Sequence, residues 1–259
     1  MKKLILILGV LSWLIASPAF AYTNANSTQV HGSPSIQLWS IADASATGMT
    51  FTTAVSFSTW VRFIDTATAM NVDLGMQTDF GSQRSYNFSY DGTTLNMAAS
   101  SNGSTNTGKG VAWTTSTGTW YNVVVTYNAG TAIFYVNGAQ QGATQSGLAA
   151  TLFNSNTAIT FANQENGAGT SGYLMNDTRM WSRVLSGSEV TSIYNSGAGS
   201  CSFSNGANLA GWWFIDNTGN DHSGNSNTLT GTNSPTFTTT LPYTCASAAK
   251  FNFWQFMDF

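Results

Sequence analysis

The chain has 259 residues and a formal net charge of −3, and only 7% of its residues are charged, against roughly 25% in an average soluble protein. There is no basic stripe, so the electrostatic footprint of a nucleic-acid partner is missing. Aromatic residues make up 13% of the chain, which argues against a disordered one.

Lys2 and Lys3 precede an apolar run from Leu4 to Ile15, and Ala19-Phe20-Ala21 supplies the small-x-small cleavage pattern of a secretory signal peptide. The run is short for a membrane span. Residues 1–21 are expected to be removed, leaving a mature chain with no membrane span that is secreted, periplasmic or held at the cell surface. Residues 22–35 are polar and turn-rich and read as a loose leading segment.

From there apolar residues alternate with polar ones, the signature of half-buried strands. Val55, Phe57, Val61 and Phe63 share one face, as do Tyr86, Phe88 and Tyr90. Asp91-Gly92 offers a turn into Leu95 and Met97. The clearest hairpin joins Trp120–Tyr127 to Thr131–Val136 through Asn128-Ala129-Gly130, and Asn137-Gly138 supplies a further turn. Ile159 and Phe161 mark a short strand and Tyr173–Trp181 another. Ser186-Gly187-Ser188-Glu189 is a capping box. Val190, Ile193 and Tyr194 follow at helical spacing, with Gly197 as the stop, predicting about three turns of helix. Leu209–Ile215 reads as an apolar strand, followed by a turn-rich loop from Asp216 to Asn227. Many short strands and one short helix in the C-terminal half predict an all-β, antiparallel jelly-roll β-sandwich.

Several of these segments resemble the laminin-G-like jelly-roll domains of the concanavalin-A-like lectin/glucanase superfamily. They are Ser40–Ser45, Val55–Arg62 with Trp60-Val61, Trp120–Tyr127, Phe134–Gly138 and Asn176–Ser186. The resemblance runs from about Ile36 to Gly197. Gly211-Trp212-Trp213-Phe214 with Asp221-His222-Ser223-Gly224-Asn225 resembles a piece that often opens such domains. Here it follows the helix, so residues 211–245 are expected to complete the same sandwich, giving a domain over 36–245; a truncated second repeat is the alternative. The family's late strand often carries two adjacent acids. Asn176 and Asp177 stand there instead, which implies a weaker calcium site, and Thr178 replaces an aliphatic residue.

Cys201 and Cys245 in an exported chain point to one disulfide, two free thiols being the alternative. Calcium is the one cofactor the resemblance suggests, and its oxygen-bearing candidates are Asn163, Glu165, Asp177, Asp216 and Asp221. Stacking on a sugar needs exposed rings, for which Trp39, Trp113, Trp212 and Trp213 are candidates; one of the adjacent pair Trp212-Trp213 must face away from the core. Trp60, Trp120 and Trp181 read as core or rim. Catalysis has little support. Glycoside cleavage uses two carboxylates, yet the only Glu residues are Glu165 and Glu189, and Glu189 is explained by its cap. Asp221, His222 and Ser223 read as a turn, and His31 lies in the leading segment. Residues 246–259 form an aromatic tail whose end, Phe251–Phe259, reads as a strand on its own sheet edge, a docking or self-association segment, or a sorting tail. The sequence therefore predicts a non-enzymatic module recognising a glycan or surface polymer in adhesion, with a structural envelope protein or a divergent polysaccharide hydrolase as alternatives.

Overall fold

The computed structural model describes residues 27–30, 38–64, 72–77, 81–161, 163–164, 172–201, 207–232 and 236–245. Residues 1–21 (read above as a signal peptide), His31, Glu165 and residues 246–259 lie outside them. In chain order the strands are β1 (Ser27–Val30), β2 (Leu38–Ile41), β3 (Ala54–Phe63), β4 (Val72–Gln77), β5 (Arg84–Tyr90), β6 (Thr94–Gly103), β7 (Thr107–Ala112), β8 (Trp120–Asn128), β9 (Thr131–Val136), β10 (Ala139–Ser146), β11 (Ile159–Phe161), β12 (Asn163–Gln164) and β13 (Tyr173–Trp181). Helix α1 (Gly187–Tyr194) follows, then β14 (Leu209–Trp213), β15 (Thr230–Thr232) and β16 (Thr236–Thr238).

These strands make two antiparallel eight-stranded sheets, the sandwich that the alternating pattern predicts. The first has the order β10-β9-β8-β3-β13-β1-β16, with β14 also on β13; the second has the order β15-β2-β11-β4-β5-β6-β7, with β12 also on β4. Between them lies the main core, in which Phe57 meets Phe88 and Phe161, and Phe63 meets Tyr90 and Trp113. The hairpin turns β8–β9 and β9–β10 each hold two residues at positive φ: Ala129 and Gly130, then Asn137 and Gly138. That conformation matches the right-handed twist of the paired strands. β14, β15 and β16 are hydrogen-bonded to β13, β2 and β1 respectively, so residues beyond the helix are built into both sheets.

Three local expectations change. Ser27–Val30, in the supposedly loose leading segment, is a strand between β13 and β16. Ser27 is buried and donates to the Thr240 carbonyl at 2.7 Å, a partner more than two hundred residues away that no local pattern reveals. β7 and β10 are strands without apolar alternation, as suits exposed sheet edges. The helix has eight residues, because Asn195 takes the left-handed conformation two residues before Gly197. Its N-terminus carries the capping box, with Ser186 accepting from the Glu189 amide.

The helix decides what covers the first sheet. Val190 and Ile193 pack with Leu185, Trp181, Val124 and Tyr135 on the face turned away from the core. A neighbouring patch of that outer face holds Trp60, Trp212 and Phe214 beneath Tyr243 and the disulfide. β13 is consequently buried along all nine residues.

Candidate functional site

On the outer face of the first sheet, strand alternation presents Ser58, Trp60 and Arg62 from β3 and Trp120 and Asn122 from β8. Between Asn176 and Arg179 the register slips: Asp177 and Thr178 stand opposite Thr59 alone. This is a β-bulge, and Asp177 adopts φ 44°, a left-handed conformation that Asp tolerates better than most residues. The bulge also falls where β13 changes partner, from β1 to β14.

It aims the Asp177 carboxylate at Arg179, whose Nε and Nη2 donate to its two oxygens at 2.7 and 3.0 Å. Trp212 Nε1 donates to the same carboxylate at 2.7 Å, and so does the Tyr243 hydroxyl. The guanidinium lies 4.3 Å over the Trp212 ring and also donates to the Ser200 carbonyl. Arg179 and Asp177 are only 2% and 1% exposed. Burial opposes the Arg179 charge, but the Asp177 carboxylate holds its pKa above the ordinary value. Burial, then Asp177, raises that of Tyr243. The Cys201–Cys245 disulfide, with Cα atoms 5.7 Å apart, sits next to Ser200 and close to Tyr243 in sequence and so ties both covers down.

The four tryptophans proposed as stacking platforms are all interior. Trp39 is 4% and Trp113 5% exposed, and Trp212 and Trp213 are fully buried. Trp39 packs against Phe237 at 6.2 Å, where the two sheets meet at one edge. Trp113 is wedged edge-on against Tyr90 and Tyr121 at 4.9 and 5.2 Å. Trp212 and Trp213 do face opposite ways: Trp213 joins the core beside Phe161, donating Nε1 to the Asn227 carbonyl, while Trp212 turns outward and is roofed by Tyr243. None of the four offers a ring face to a sugar, because the segments that close over them come from elsewhere in the chain.

Of the proposed calcium ligands, Asp177, Asp216 and Asp221 are already engaged. Asp177, a calcium candidate on its strand, is sealed in the network just described, with both carboxylate oxygens accepting from protein donors. Asp216 accepts from Thr218 N and Oγ1 at 2.9 and 2.6 Å. Asp221 accepts from the amides of Trp212, Ser223 and Asn227 and from Ser223 Oγ. Asn163 is paired through its backbone to Asp73 on β4, and Glu165 lies outside the described residues. Among the described residues no three His, Cys, Asp or Glu side chains converge as metal ligands. Ser223 Oγ points its proton at Asp221 at 2.8 Å, which makes a turn and not a nucleophile. His222 packs against Phe214 and Trp212, and burial lowers its pKa.

A different corner of the same face remains open. Arg62, near the end of β3, stands directly opposite Trp120, the first residue of β8. Arg62 Nε donates to the Gly118 carbonyl at 2.8 Å, and Gly118, at φ 76°, returns the loop to β3 through its amide bond to the Phe63 carbonyl. Trp120 is partly exposed and packs against the outer patch that contains Trp60. Ile64, two residues beyond Arg62, is 40% exposed. The ion pairs among the described residues are Arg179–Asp177 and Arg183–Glu189, and Arg62 belongs to neither. Sequence reading passed over Arg62 as one residue of a strand. The available signal was scarcity: in so uncharged a chain, an arginine on the outward-facing parity is informative.

No curated protein matches this sequence. Among solved structures the chain is similar to the botulinum neurotoxin serotype G binding domain (TM-score 0.54, 16% identity, 69% of this chain and 47% of that one). It is also similar to a structure concerning botulinum neurotoxin type C (0.53, 16%, 68% and 45%) and to the binding domain of Paraclostridial mosquitocidal protein 1 (0.51, 15%, 68% and 45%). The chain thus spans about half the length of the structures it matches, and at these identities the likeness is one of fold. Residues 36–191, more than half of the chain, match a laminin-G-type family model, and the chain therefore belongs to the concanavalin A-like lectin/glucanases superfamily.

Proposed function

We propose that the protein is an exported, non-catalytic recognition module that binds carbohydrate or a sugar-bearing surface polymer. The observation that carries this reading is the state of its acids. Every described carboxylate side chain holds the fold: Asp43 accepts from Gln77, Asp91 closes the β5–β6 turn, Asp177 pairs with Arg179, Glu189 caps α1, and Asp216 and Asp221 fix their loop. A glycosidase needs a protonated acid with a raised pKa beside a second carboxylate. Here the movement is the other way. Burial opposes it, but hydrogen bonds from Thr93, Asn96 and Thr94 hold the Asp91 carboxyl below its ordinary value. Hydrogen bonding from Arg183 holds that of Glu189 at about 2.

The lectin-like family supports binding as the activity, and so do the neighbours, which are receptor-binding domains. Cell entry of botulinum neurotoxin type C is dependent upon interaction with two ganglioside molecules, and the binding domain of botulinum neurotoxin DC is described in complex with SialylT. The disulfide supports an oxidising compartment, in keeping with the leader at residues 1–21. A glycan array run in calcium and in chelator tests the reading. The expected result is binding to a defined set of glycans that survives chelation, since the described aspartates already have donors. A folded protein that binds no glycan under either condition sinks it.

A further inference from the structure

We propose that the corner formed by Arg62, Trp120 and the Gly118 turn is the binding site for an acidic sugar, its carboxylate on the guanidinium and its ring on the indole. This rests on the recognition reading above and names the ligand class and the place.

Three features converge. First, Arg62 is a cation without a carboxylate partner among the described residues, unlike Arg179, which pairs with Asp177, and Arg183, which pairs with Glu189. Second, its Nε is committed to the Gly118 carbonyl, while its terminal nitrogens have no bond to any of the described residues. That single bond fixes the plane of the guanidinium and leaves a pair of parallel donors, the geometry that takes a carboxylate in two hydrogen bonds. Ordering the side chain before the ligand arrives lowers the entropy cost of binding. Third, Trp120 sits directly across the strand pair, which sets the two Cβ atoms about 4.5–5.5 Å apart. An indole can stack on the apolar face of a pyranose while a neighbouring charge reads a ring substituent. The uncovered part of Trp120 and exposed Ile64 extend an apolar surface on either side of Arg62. Trp60, stacked on Tyr194 at 5.8 Å, and the helix behind it make this a rigid backing, not a loose loop.

The test uses the processed protein and three carboxylated probes of different linkage: polygalacturonate, hyaluronate and sialyllactose. Each is titrated beside its methyl ester, which keeps the sugar and removes the charge. At least one acid is expected to bind, its ester at least about tenfold more weakly. Arg62→Gln, whose amide nitrogen falls about where Nε stands and so can still donate to Gly118, is expected to lose about tenfold or more, and Arg62→Lys to recover part of the loss. Trp120→Phe should retain more affinity than Trp120→Leu, with circular dichroism and melting midpoint of Arg62→Gln unchanged. Equal binding of acid and ester, or an Arg62→Gln variant as tight as the parent, overturns the site. If the array still finds neutral glycans in that case, the broader reading stands and only the site falls. Dextran sulfate that competes as well as the best probe, with Trp120→Leu unaffected, reduces the corner to a nonspecific anion contact and also overturns it. Failure of all three acids to bind has the same consequence.

Discussion

Two arginine–tryptophan pairs occupy the same face of the same sheet and do opposite things. Arg179 lies over Trp212 with a bidentate carboxylate beside it and is 2% exposed. Arg62 faces Trp120 across β3 and β8 with a backbone carbonyl as its hydrogen-bond acceptor and remains partly open. The side chains are the same types. What differs is the cover: residues 199–201 and 243–245, joined by the disulfide, close over the first pair. Once covered, an arginine must have a carboxylate, because an unpaired buried charge is far costlier than an exposed one. Where nothing covers it, the charge remains available to a ligand. Arg183 and Glu189 stand between these extremes, paired at 2.7 Å on the rim with 22% and 31% of their side chains exposed.

The contrast can be broken by removing one partner at each level. Asp177→Asn should cost the most, about 3–5 kcal/mol, because it strands Arg179 without an anion, whereas Arg62→Gln should stay within about 0.5 kcal/mol. Urea denaturation of both variants checks this, and equal losses would erase the distinction between scaffold and open corner. Next comes the cover itself. The disulfide closes a loop with a sequence separation of 44, for which chain entropy gives about 4 kcal/mol as an upper figure. Cys201→Ser with Cys245→Ser should therefore lower stability by about 2–4 kcal/mol. It should also weaken the near-ultraviolet circular dichroism from Trp60 and Trp212 as Tyr243 loosens; an unchanged aromatic spectrum would mean that Tyr243 stays in place untethered.

The smallest effect belongs to the rim. Ser186→Ala removes the helix cap and should cost about 1 kcal/mol. Because Glu189 titrates at about 2 in the fold, against an ordinary 4.5, its contribution is fully present above pH 4.5 and fades as the pH falls towards 2. That contribution is small and salt-sensitive, since the pair is partly exposed. Stability measured between pH 5 and pH 2 should fall slightly less steeply in Ser186→Ala than in the parent, as the Ser186 hydroxyl donates one of the bonds holding the Glu189 carboxylate, while the backbone amide of residue 186 still donates to it. A parallel fall in both proteins would assign the shift to Arg183 and the residue-186 amide, with no share for the hydroxyl.

How far the sequence could be read depended on the range of the interactions. The strands with apolar alternation, β3, β8 and β9, follow from residues two apart, and the capping box from residues three apart. The cysteine pair needed only the inference that the chain is exported. By contrast β1, β7 and β10 are rich in Ser, Thr, Gln and Gly and carry no apolar period to read. Of the candidate site almost nothing was visible. The aromatic candidates were chosen for being tryptophan, but Trp39 is covered by Phe237 and Trp212 by Tyr243, contacts made across nearly two hundred and about thirty residues. Asp177 was read as a calcium candidate because nothing local predicts a bulge that turns it towards Arg179.

The amino-acid pattern by itself determined that this chain alternates, turns and caps into two antiparallel layers, because backbone pairing and side-chain parity are decided between near neighbours. Which outward-facing residues ended up buried was decided only by tertiary structure. The helix, the disulfide-tied segments and the last strands arrive from distant parts of the chain, and their arrival turned one arginine into scaffold and left another facing solvent. Exposure depends on everything packed around a residue, whereas parity depends on the residue's own strand.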